Sequence, residues 1–436
     1  MTICSDSSCY GCAACADICP RDAIEMTDES GFWRPVIDGN KCINCKICRE
    51  VCPALNAKEV LKDRIEVQCY AAWSADKTRH FESASGGVAS ELSETVITGG
   101  GFVAGVLYEQ NSGIVKHAVI DRVDQVELIS KSKYVLSSKR GIYKDVLERI
   151  KMGQNGLFFG TPCEVNAMRR YLRIKSPKLE SKLKTVDLLC RGGNSSRCLR
   201  EHLNYVSRNK KITNITFRGG KYDCKLTVYK NKKIVYQGYQ YLDAYFKYFM
   251  HHSLLQERCY TCPFANRYRE GDITLGDFWG INASIANVNP INGMNMVMIN
   301  SQSGKELLQL VKDKIICYER DIDEAVHGND TLKEPTEKPP EYEKVWSIIP
   351  EKGFGEVLKI VYEESEFELY WKNRYLYFKH KVKEMSVMII HLIEKIVRGG
   401  VENNQIMWCL YTKYINSGYL FYTEGMYDFG IREVTV

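Results

Sequence analysis

The hydrophobic pattern of the chain predicts different elements in different regions. In the middle region, apolar runs such as FVAGVLY at 102–108 and VKHAVI at 115–120 have the length and β-branched content of strands, and they predict a strand pair. Further strand-like runs alternate with stretches of helical periodicity, a pattern typical of α/β domains. We therefore expect an α/β domain at the centre of the chain.

Turn and capping residues predict where the helices of this domain begin. SASGG at 83–87 predicts a turn into a helix from Val88 to Thr98, which is ended by glycines. Thr161 to Glu164 is a T-x-x-E capping box with Pro162 at the first helical position. KTVDLLCRGGNSSRCL repeats the design, with an apolar strand ending at Cys190, a glycine turn and a helix.

The C-terminal part of the chain predicts a linker followed by a helical extension. Charged and proline-rich residues from Lys333 to Lys344 indicate a boundary. Beyond it, Glu366 to Arg398 predicts a long helix with aromatic residues at helical spacing. We favour an aromatic stripe packed on the rest of the fold. The alternatives are a partner or substrate groove and a weak peripheral membrane contact by a basic, aromatic helix.

Composition narrows the function classes. With 436 residues, 44% hydrophobic and 26% charged, the chain resembles an ordinary globular protein with two or three domains. The net charge of +6 is scattered, so we expect no nucleic-acid partner, and no apolar run is long enough for a transmembrane segment. Eighteen cysteines without an export signal indicate metal rather than disulfides, which predicts a cytoplasmic protein of an anaerobe.

Two cysteine motifs in the first 55 residues have the spacing of iron–sulfur ligands. CYGCAACADICP and CINCKICREVCP both read C-x2-C-x2-C-x3-C-P, which gives three thiolates to one 4Fe–4S cluster and the fourth to another. Eight cysteines at this spacing disfavour a structural zinc site. The crossed pattern predicts one cluster on Cys9, Cys12, Cys15 and Cys52 and another on Cys42, Cys45, Cys48 and Cys19. The segment resembles bacterial ferredoxins, and its eight acids and five bases give a net charge of −3.

A later C-x-x-C pair, Cys259 and Cys262, supplies half of a further metal site. Cys163 and Cys190 follow two strands at equivalent positions, and ligands bind at the carboxyl ends of parallel strands. The helix dipole at Cys163 and the charge of Arg191 beside Cys190 both favour thiolates. We therefore predict a third 4Fe–4S cluster on these four cysteines. A zinc site on the same thiolates stays open, as do buried apolar roles for the single cysteines. Two alternative fourth ligands are Cys198 and Cys224.

Two turns have the composition of cofactor-binding segments. SASGG offers hydroxyls and bare backbone amides at a helix start, which suits phosphate or pyrophosphate. SKYVLSS at 132–138 presents Lys133 and serine hydroxyls, which suit a flavin ring or its phosphates. Each stretch is equally compatible with an ordinary turn.

Together the motifs resemble one family. SASGGVAS, SKYVLSS, GTPCEVNAMRRYL, DLLCRGGNSS and CYTCPFANRYREGDITLGDFWG occur in the order found in the beta subunits of coenzyme F420-reducing hydrogenases and their relatives, over roughly residues 1–330. Relatives include reductases of chlorophyll intermediates and bacterial proteins linked to cell-surface polysaccharide genes. The resemblance implies an FAD-binding α/β domain beside a 4Fe–4S cluster, with cluster ligation on Cys163, Cys190, Cys259 and Cys262. It implies flavin contacts at Ser85, Gly86, Gly87, Lys133, Thr161 and Asp277.

Two departures from the family pattern concern the substrate. Arg191 stands where the family usually has histidine, and GGNSS stands where GVPSP is frequent. Both leave the proposed ligands intact, but they put a deazaflavin substrate in doubt.

The sequence thus predicts an α/β protein, α+β overall, with four segments. They are a two-cluster ferredoxin-type domain at 1–58, an FAD and iron–sulfur oxidoreductase domain at 65–330, a linker at 331–350 and a mostly helical extension at 351–436. We expect an iron–sulfur flavoprotein oxidoreductase that exchanges electrons with a low-potential carrier such as ferredoxin and acts on an unknown small organic substrate, with cell-surface polysaccharide metabolism as a suggested setting. No catalytic residue is identified, although Lys133 and His117 are candidate proton donors. The alternative is an electron-transfer beta-type subunit that docks on a separate catalytic subunit.

Overall fold

The computed structural model describes residues 2–57, 63–110, 113–218, 224–281 and 293–379. Met1–Arg374 form one compact unit and Tyr375–Val436 a second. The strands described are β1 Ile24–Glu29, β2 Phe32–Ile37, β3 Arg64–Ser74, β4 Phe102–Glu109, β5 Ile114–Ile120, β6 Gly156–Gly160, β7 Leu183–Leu188, β8 Asn214–Arg218, β9 Cys224–Lys230, β10 Lys233–Tyr239, β11 Ile273–Asp277, β12 Asn295–Ser301 and β13 Ile315–Arg320. The α-helices described are α1 Ala14–Ile18, α2 Ile47–Glu50, α3 Lys77–Glu82, α4 Val88–Thr98, α5 Val126–Ile129, α6 Ile142–Lys151, α7 Pro162–Lys175, α8 Ser196–Ser207, α9 Ala244–Met250, α10 Gln302–Gln309, α11 Ile322–Gly328, α12 Tyr342–Lys352, α13 Phe354–Ile360 and α14 at 366–379.

The first 57 residues form a small ferredoxin-like fold. β1 and β2 pair as an antiparallel hairpin, with Ile24 opposite Ile37. Ala13 and Lys46 hold equivalent positions in the two cysteine motifs, and both have left-handed φ angles, of 61° and 62°. Each is followed at once by a short helix, α1 or α2. The two motifs therefore turn the chain in the same way.

An eight-stranded mixed sheet forms the centre of the chain, in the order β13-β3-β12-β11-β7-β6-β4-β5. Its inner strands β11, β7, β6 and β4 are parallel, and antiparallel strands flank them on both sides. The predicted strand pair at 102–108 and 115–120 is confirmed as β4 and β5. A separate three-stranded antiparallel sheet has the order β10-β9-β8. The predicted α/β fold class is confirmed, and the carboxyl ends of the four parallel strands share one edge of the sheet.

The ferredoxin-like segment packs on the central sheet domain inside the first compact unit. Tyr10 and Cys12 belong to one hydrophobic core with side chains of α6, α7 and β6. Buried Asp17 accepts hydrogen bonds from the backbone N–H groups of Gly141 and Tyr143, at 2.9 and 3.1 Å. These groups lie at the start of α6, where the helix dipole favours a carboxylate. The boundary predicted at residue 58 therefore does not divide two separate hydrophobic cores.

The predicted helix starts in the sheet domain are confirmed. α4 covers the predicted residues. α7 opens with the predicted capping box, in which the N–H of Thr161 donates to the carboxylate of Glu164 at 2.8 Å. β7 ends at Leu188, so Cys190 lies in the following turn rather than at the strand end.

The segment predicted as a linker contains a packed helix. Residues 342–350 lie in α12, where Val345 and Ile349 are fully buried in a core with side chains of α8 and α9. Apolar residues at a spacing of three or four give this stretch one face that can be buried. The prolines that suggested a linker lie before this helix.

The described part of the predicted C-terminal helix is α14, and its continuation to Arg398 lies outside the described residues. Tyr370 is half-buried, with its ring stacked 5.7 Å from that of Tyr236. Phe367 and Trp371, however, are 57% and 47% exposed, so the predicted packing of the aromatic stripe is wrong for these two side chains. Across the described residues, no helix has both the length and the apolar character needed to cross a membrane.

A buried charged network connects α8 with α9 and α14. His202 Nε2 lies 2.8 Å from the Asp243 carboxylate, and its Nδ1 lies 3.0 Å from that of Glu366. Burial alone would lower the pKa of His202, but the two carboxylates outweigh it and raise the pKa to about 10. The imidazole is therefore protonated at neutral pH.

Candidate iron–sulfur and cofactor sites

Four cysteines of the N-terminal segment line one internal space. Cys9, Cys12, Cys15 and Cys52 line one pocket, with Cys4 beside them. The four are those that the crossed pattern assigns to one cluster, and none is more than 9% exposed. We call them the inner set. A four-thiolate donor set around a shielded space fits a 4Fe–4S cluster.

The other four N-terminal cysteines form a second group nearer to the solvent. The electrostatic neighbours of Cys48 are Cys45, Cys19 and Cys42, the remaining members of the crossed pattern. Cys45 is exposed, and the other three are partly buried. We call them the outer set.

The four later cysteines come from three segments and meet at the carboxyl-end edge of the sheet. Cys163 lies in the first turn of α7 after β6, and Cys190 lies in the turn after the neighbouring strand β7. Cys259 and Cys262 lie in and just after a 3₁₀ turn. Cys163 has Cys262 and Cys190 as electrostatic neighbours, and Cys190 has Cys259 and Cys262, so the four thiols form one group. We call them the central set.

The two alternative fourth ligands lie elsewhere. Cys198 is fully buried among apolar side chains of a core below α8. Cys224 begins β9 and is an electrostatic neighbour of Arg218. The structure therefore groups Cys163 and Cys190, rather than these two, with the C-x-x-C pair.

Tyr10 connects the inner set to the central set. It lies in the chain between the first two cysteines of the inner set, and its ring centroid is 5.8 Å from that of Phe264. Its hydroxyl accepts a hydrogen bond from Arg258 Nε at 3.0 Å. Burial and the nearby thiols of Cys262 and Cys163 raise the pKa of Tyr10, so the phenol stays neutral.

Arg269 fixes the loop that carries Cys262 to the end of β7. Its side chain is among the largest that are fully buried. Nη1 donates to the carbonyl oxygens of Phe264 and Asn266 at 3.0 and 3.3 Å. Nη2 donates to the carboxylate of Asp187 at 3.3 Å and to the carbonyl of Leu188 at 3.2 Å. One guanidinium thus joins the two segments that carry Cys262 and Cys190, a role that no sequence motif indicated.

The predicted stabilisation of thiolates in the central set is wrong. Burial, Glu164 and the neighbouring thiols raise the pKa of Cys163 well above its usual range. Burial and the other cysteines also raise the pKa of Cys190 and, to about 11, that of Cys259. The helix dipole and Arg191 are too weak to offset desolvation. Deprotonation of such thiols requires a bound metal to hold the charge.

The kind of metal that each cysteine set would hold is a separate question from the grouping of the cysteines. Among the described residues, no group of three or more histidine, cysteine or carboxylate side chains is arranged to hold one metal ion. The finding includes all three cysteine sets. A tetrahedral zinc site needs its sulfurs about 2.3 Å from one centre, whereas a cluster distributes its ligands over several irons. Four thiolates suit a 4Fe–4S cluster, and a zinc ion on the same four thiolates stays open.

A buried polar network lies behind Cys163. The carboxylate of Glu164 is 2.9 Å from Lys139 Nζ and 3.8 Å from His117 Nε2. Burial raises the pKa of Glu164, but Lys139 outweighs it and holds the pKa below its usual range. Burial lowers the pKa of His117, whose Nδ1 bonds to Ser137 at 2.9 Å. This candidate proton donor is therefore a neutral, enclosed ring.

Two of the predicted flavin-contacting residues meet at the end of β11. Asp277 forms an ion pair with Arg218, at 2.9 Å from both terminal nitrogens. Ser85 is also a hydrogen-bonding neighbour of Asp277, although burial still raises the pKa of that carboxyl. Arg218 in turn donates to the hydroxyl of Tyr134 at 3.2 Å. No sequence motif had indicated a role for Arg218 or Tyr134.

The two glycines of SASGG have structural reasons to be glycine. A Cβ on Gly86 would lie 2.4 Å from the carbonyl oxygen of Ala72 and 2.8 Å from the backbone of Asn295. Gly87 has a φ of 86° as the N-cap of α4. The backbones of β3 and β12 therefore account for the glycine at position 86, where the resemblance implies a flavin contact.

The other predicted flavin contacts are also engaged by protein groups. The ammonium of Lys133 donates to three carbonyl oxygens of its own loop, those of Leu128, Ser130 and Lys131. Burial lowers its pKa to about 7, while the three carbonyls favour the charged form. The hydroxyl of Thr161 lies 3.2 Å from the sulfur of Cys163. Thr161 and Asp277 follow or end parallel strands, so they share the sheet edge with the central set.

Two family models match parts of the chain. Residues 153–325 match the family model for the C terminus of the coenzyme F420 hydrogenase/dehydrogenase beta subunit. Residues 8–56 match the model for a 4Fe-4S dicluster domain. A chain of the F420-reducing NiFe hydrogenase complex from Methanosarcina barkeri, solved with xenon, is similar at 17% identity, with 63% of this chain and 92% of that chain covered and a TM-score of 0.44. No curated protein matches the sequence significantly.

Fold, cysteine sets and family models define an iron–sulfur electron-transfer protein of the oxidoreductase type. Within that class, the chain has an N-terminal 4Fe-4S dicluster domain followed by a domain of the coenzyme F420 hydrogenase/dehydrogenase beta-subunit type. The resemblance inferred from the motifs is confirmed over residues 8–56 and 153–325.

Proposed function

We propose that the protein is an iron–sulfur flavoprotein oxidoreductase, in which electrons pass between three 4Fe–4S clusters and FAD to reduce or oxidise a small organic substrate. The observation that carries the proposal is the meeting of the four cysteines of the central set, from three segments, beside Tyr10 of the ferredoxin-like segment. When bound, the clusters would supply one-electron steps, and FAD would combine two electrons for hydride transfer.

In the proposed route, electrons pass through the outer, inner and central sets in that order, because of where the three sets lie. The outer set is the most exposed, the inner set is buried against the sheet domain, and the central set lies at the strand ends. Tyr10, Phe264 and Arg258 lie between the inner and central sets, where the ring of Tyr10 packs near Phe264 and its hydroxyl bonds to Arg258. Packed protein between redox centres serves electron transfer better than a solvent gap.

The flavin part of the proposal is supported by position. Ligands of α/β sheets bind at the carboxyl ends of parallel strands, and Thr161, Asp277 and the SASGG turn lie along that edge with the central set. Arg218 and Asp277 offer a charged pair near the SASGG turn. A cytoplasmic location in an anaerobe and a role in cell-surface polysaccharide metabolism belong to the same proposal. They rest on the cysteine content and on the motif resemblance.

A second candidate function is favoured by the family match. The matching model describes a beta subunit, so the chain would carry electrons to or from a separate catalytic subunit. Copurification of a large partner would favour this function. Turnover of an organic substrate by the isolated chain would favour the first.

The test is an anaerobic measurement of iron, acid-labile sulfide and flavin in the native protein and in Cys262→Ala. We expect about twelve irons and one FAD per chain, and about eight irons in the variant, because each cluster holds four. Electron paramagnetic resonance should show that the two N-terminal clusters remain reducible. Cys198→Ala is the matched control and should keep all irons.

Each alternative gives a different result. A zinc site at the central set predicts lost zinc with unchanged iron, and a pair without metal predicts no loss of either. Native protein without flavin would refute the flavoprotein part and leave the second candidate.

A further inference from the structure

The outer set is the place where electrons can be exchanged with an external carrier. Cys45 is exposed, whereas all four cysteines of the inner set are buried. Cys12 of the inner set is buried in the core of the sheet domain, and Cys163 and Cys262 of the central set are partly buried against it. Because electron transfer between proteins needs a short approach, a carrier must dock at the surface around Cys45.

That surface combines exposed apolar and basic side chains. Ile43 is 60% exposed, and Lys41 on the same loop has a side chain 62% exposed. Lys46 and Arg49 are exposed beside Cys45 and Cys48. We call Lys41, Ile43, Lys46 and Arg49 the outer rim. An apolar centre with charged neighbours is the composition of a protein-docking surface.

Three acidic residues of the segment pair with bases of the sheet domain, although Asp22 is also an electrostatic neighbour of Lys41. Asp22 forms an ion pair with Lys144 at 2.8 Å. Glu25 lies 3.8 Å from Arg140, and Asp28 lies 3.4 Å from Arg200. These three carboxylates thus face basic residues of the sheet domain, which offset part of the segment's net charge of −3.

The side chains that flank Cys42, Cys45 and Cys48 are mainly basic. Residues 39–49 contain Lys41, Lys46 and Arg49 and no acidic residue. At its borders, Asp38 pairs with Lys41 at 3.5 Å, and Glu50 is exposed. Over residues 38–50, three bases against two acids leave a side-chain charge of +1, before the charge of a bound cluster is added, whereas the whole segment sums to −3.

We propose that the outer rim is the docking surface for an acidic electron-carrier protein, which exchanges electrons with the cluster on the outer set. This inference rests on the proposed function and adds the charge class of the partner and its place of binding. Complementary charge accelerates encounter of such a carrier, and the effect weakens as salt increases.

The test uses the charge-reversed double variant Lys41→Glu/Lys46→Glu of the full protein. An acidic two-cluster bacterial ferredoxin, reduced beforehand, is mixed with it under anaerobic stopped-flow conditions, and cluster reduction is followed. At low ionic strength we expect the rate constant to fall about 10- to 100-fold, and the difference from the native protein to shrink at high salt. Lys41→Gln/Lys46→Gln should give an intermediate loss. Both variants should retain native iron content.

Two controls separate this proposal from the proposed function. Lys232→Glu/Lys233→Glu, on the turn between β9 and β10, makes the same charge change away from the cysteines and should leave the ferredoxin rate unchanged. Reduction by methyl viologen radical, a small cation, should not be slowed by the outer-rim variants. A ferredoxin rate that is insensitive to Lys41 and Lys46, or equally sensitive to the control pair, overturns the docking surface. If the methyl viologen radical does not reduce the flavin, the proposed function is overturned instead.

Discussion

Replacement of Arg269 by alanine should disrupt the central set without touching a cysteine. Arg269 makes four hydrogen bonds, two to the loop that carries Cys262 and two at the end of β7. Its removal releases the loop from the strand. We expect the iron at the central set, about four atoms per chain, to be lost or sharply reduced.

The magnitude follows from what the missing guanidinium leaves behind. Removing one partner of a buried charge pair costs about 3–5 kcal/mol of unfolding free energy. Asp187, however, keeps hydrogen bonds from the N–H groups of Glu270 and Gly271, both at 2.9 Å. Its charge therefore stays partly compensated, and we expect the lower end of the range, about 3 kcal/mol.

The assay is urea unfolding under anaerobic conditions, followed by circular dichroism, together with iron and sulfide analysis of the folded protein. Arg267→Ala is the matched control, because Arg267 lies in the same loop but is exposed. Arg269→Lys should lose less unfolding free energy than Arg269→Ala, because the ammonium keeps the positive charge. It should still be less stable than the native protein, because an ammonium cannot bond both segments through a planar fork. An Arg269→Ala protein with full iron content and a loss below about 1 kcal/mol would refute the reasoning.

Three further predictions follow from the same contacts. Cys12→Ser should lose about four irons from the inner set and also lower the unfolding midpoint, because Cys12 lies in a core shared with α6 and α7; an unchanged midpoint would contradict the shared core. Gly86→Ala should destabilise the fold whether or not flavin is bound, since its Cβ would meet the Ala72 oxygen at 2.4 Å; full stability with selective flavin loss would point to a cofactor contact instead. The raised His202 pKa of about 10 contributes stability that is complete below about pH 6.5 and lost as the pH rises towards 10; the unfolding midpoint of the native protein should fall over that interval more than that of His202→Gln.

Local motifs predicted the parts of the structure that depend on neighbouring residues. The eight N-terminal cysteines could be sorted into two groups because each motif brings its ligands together within a few residues, and only one cysteine per motif crosses over. The start of α7 was equally predictable, since a capping box closes within one helical turn. The bounds of α4 followed from glycines on both sides.

Side-chain environments were not determined by local sequence. The sequence favoured a low pKa at Cys163, but burial reverses the direction, because desolvation depends on what the whole fold packs around the sulfur. Gly86 was assigned to a cofactor, whereas the backbones of β3 and β12 account for it. The burial of Val345 and Ile349 shows that the predicted linker contains a packed helix.

The sequence by itself determined that the protein carries iron–sulfur clusters and an α/β domain of the coenzyme F420 hydrogenase/dehydrogenase beta-subunit type. Only the tertiary structure decided that Cys163, Cys190, Cys259 and Cys262 meet, because their proximity requires β6 and β7 to be parallel neighbours and Arg269 to hold a third segment against them. It also decided where the charge of the N-terminal segment lies. A net charge is a sum over residues, whereas the field that a partner meets depends on which carboxylates the fold pairs with bases and which lysines it leaves at the surface.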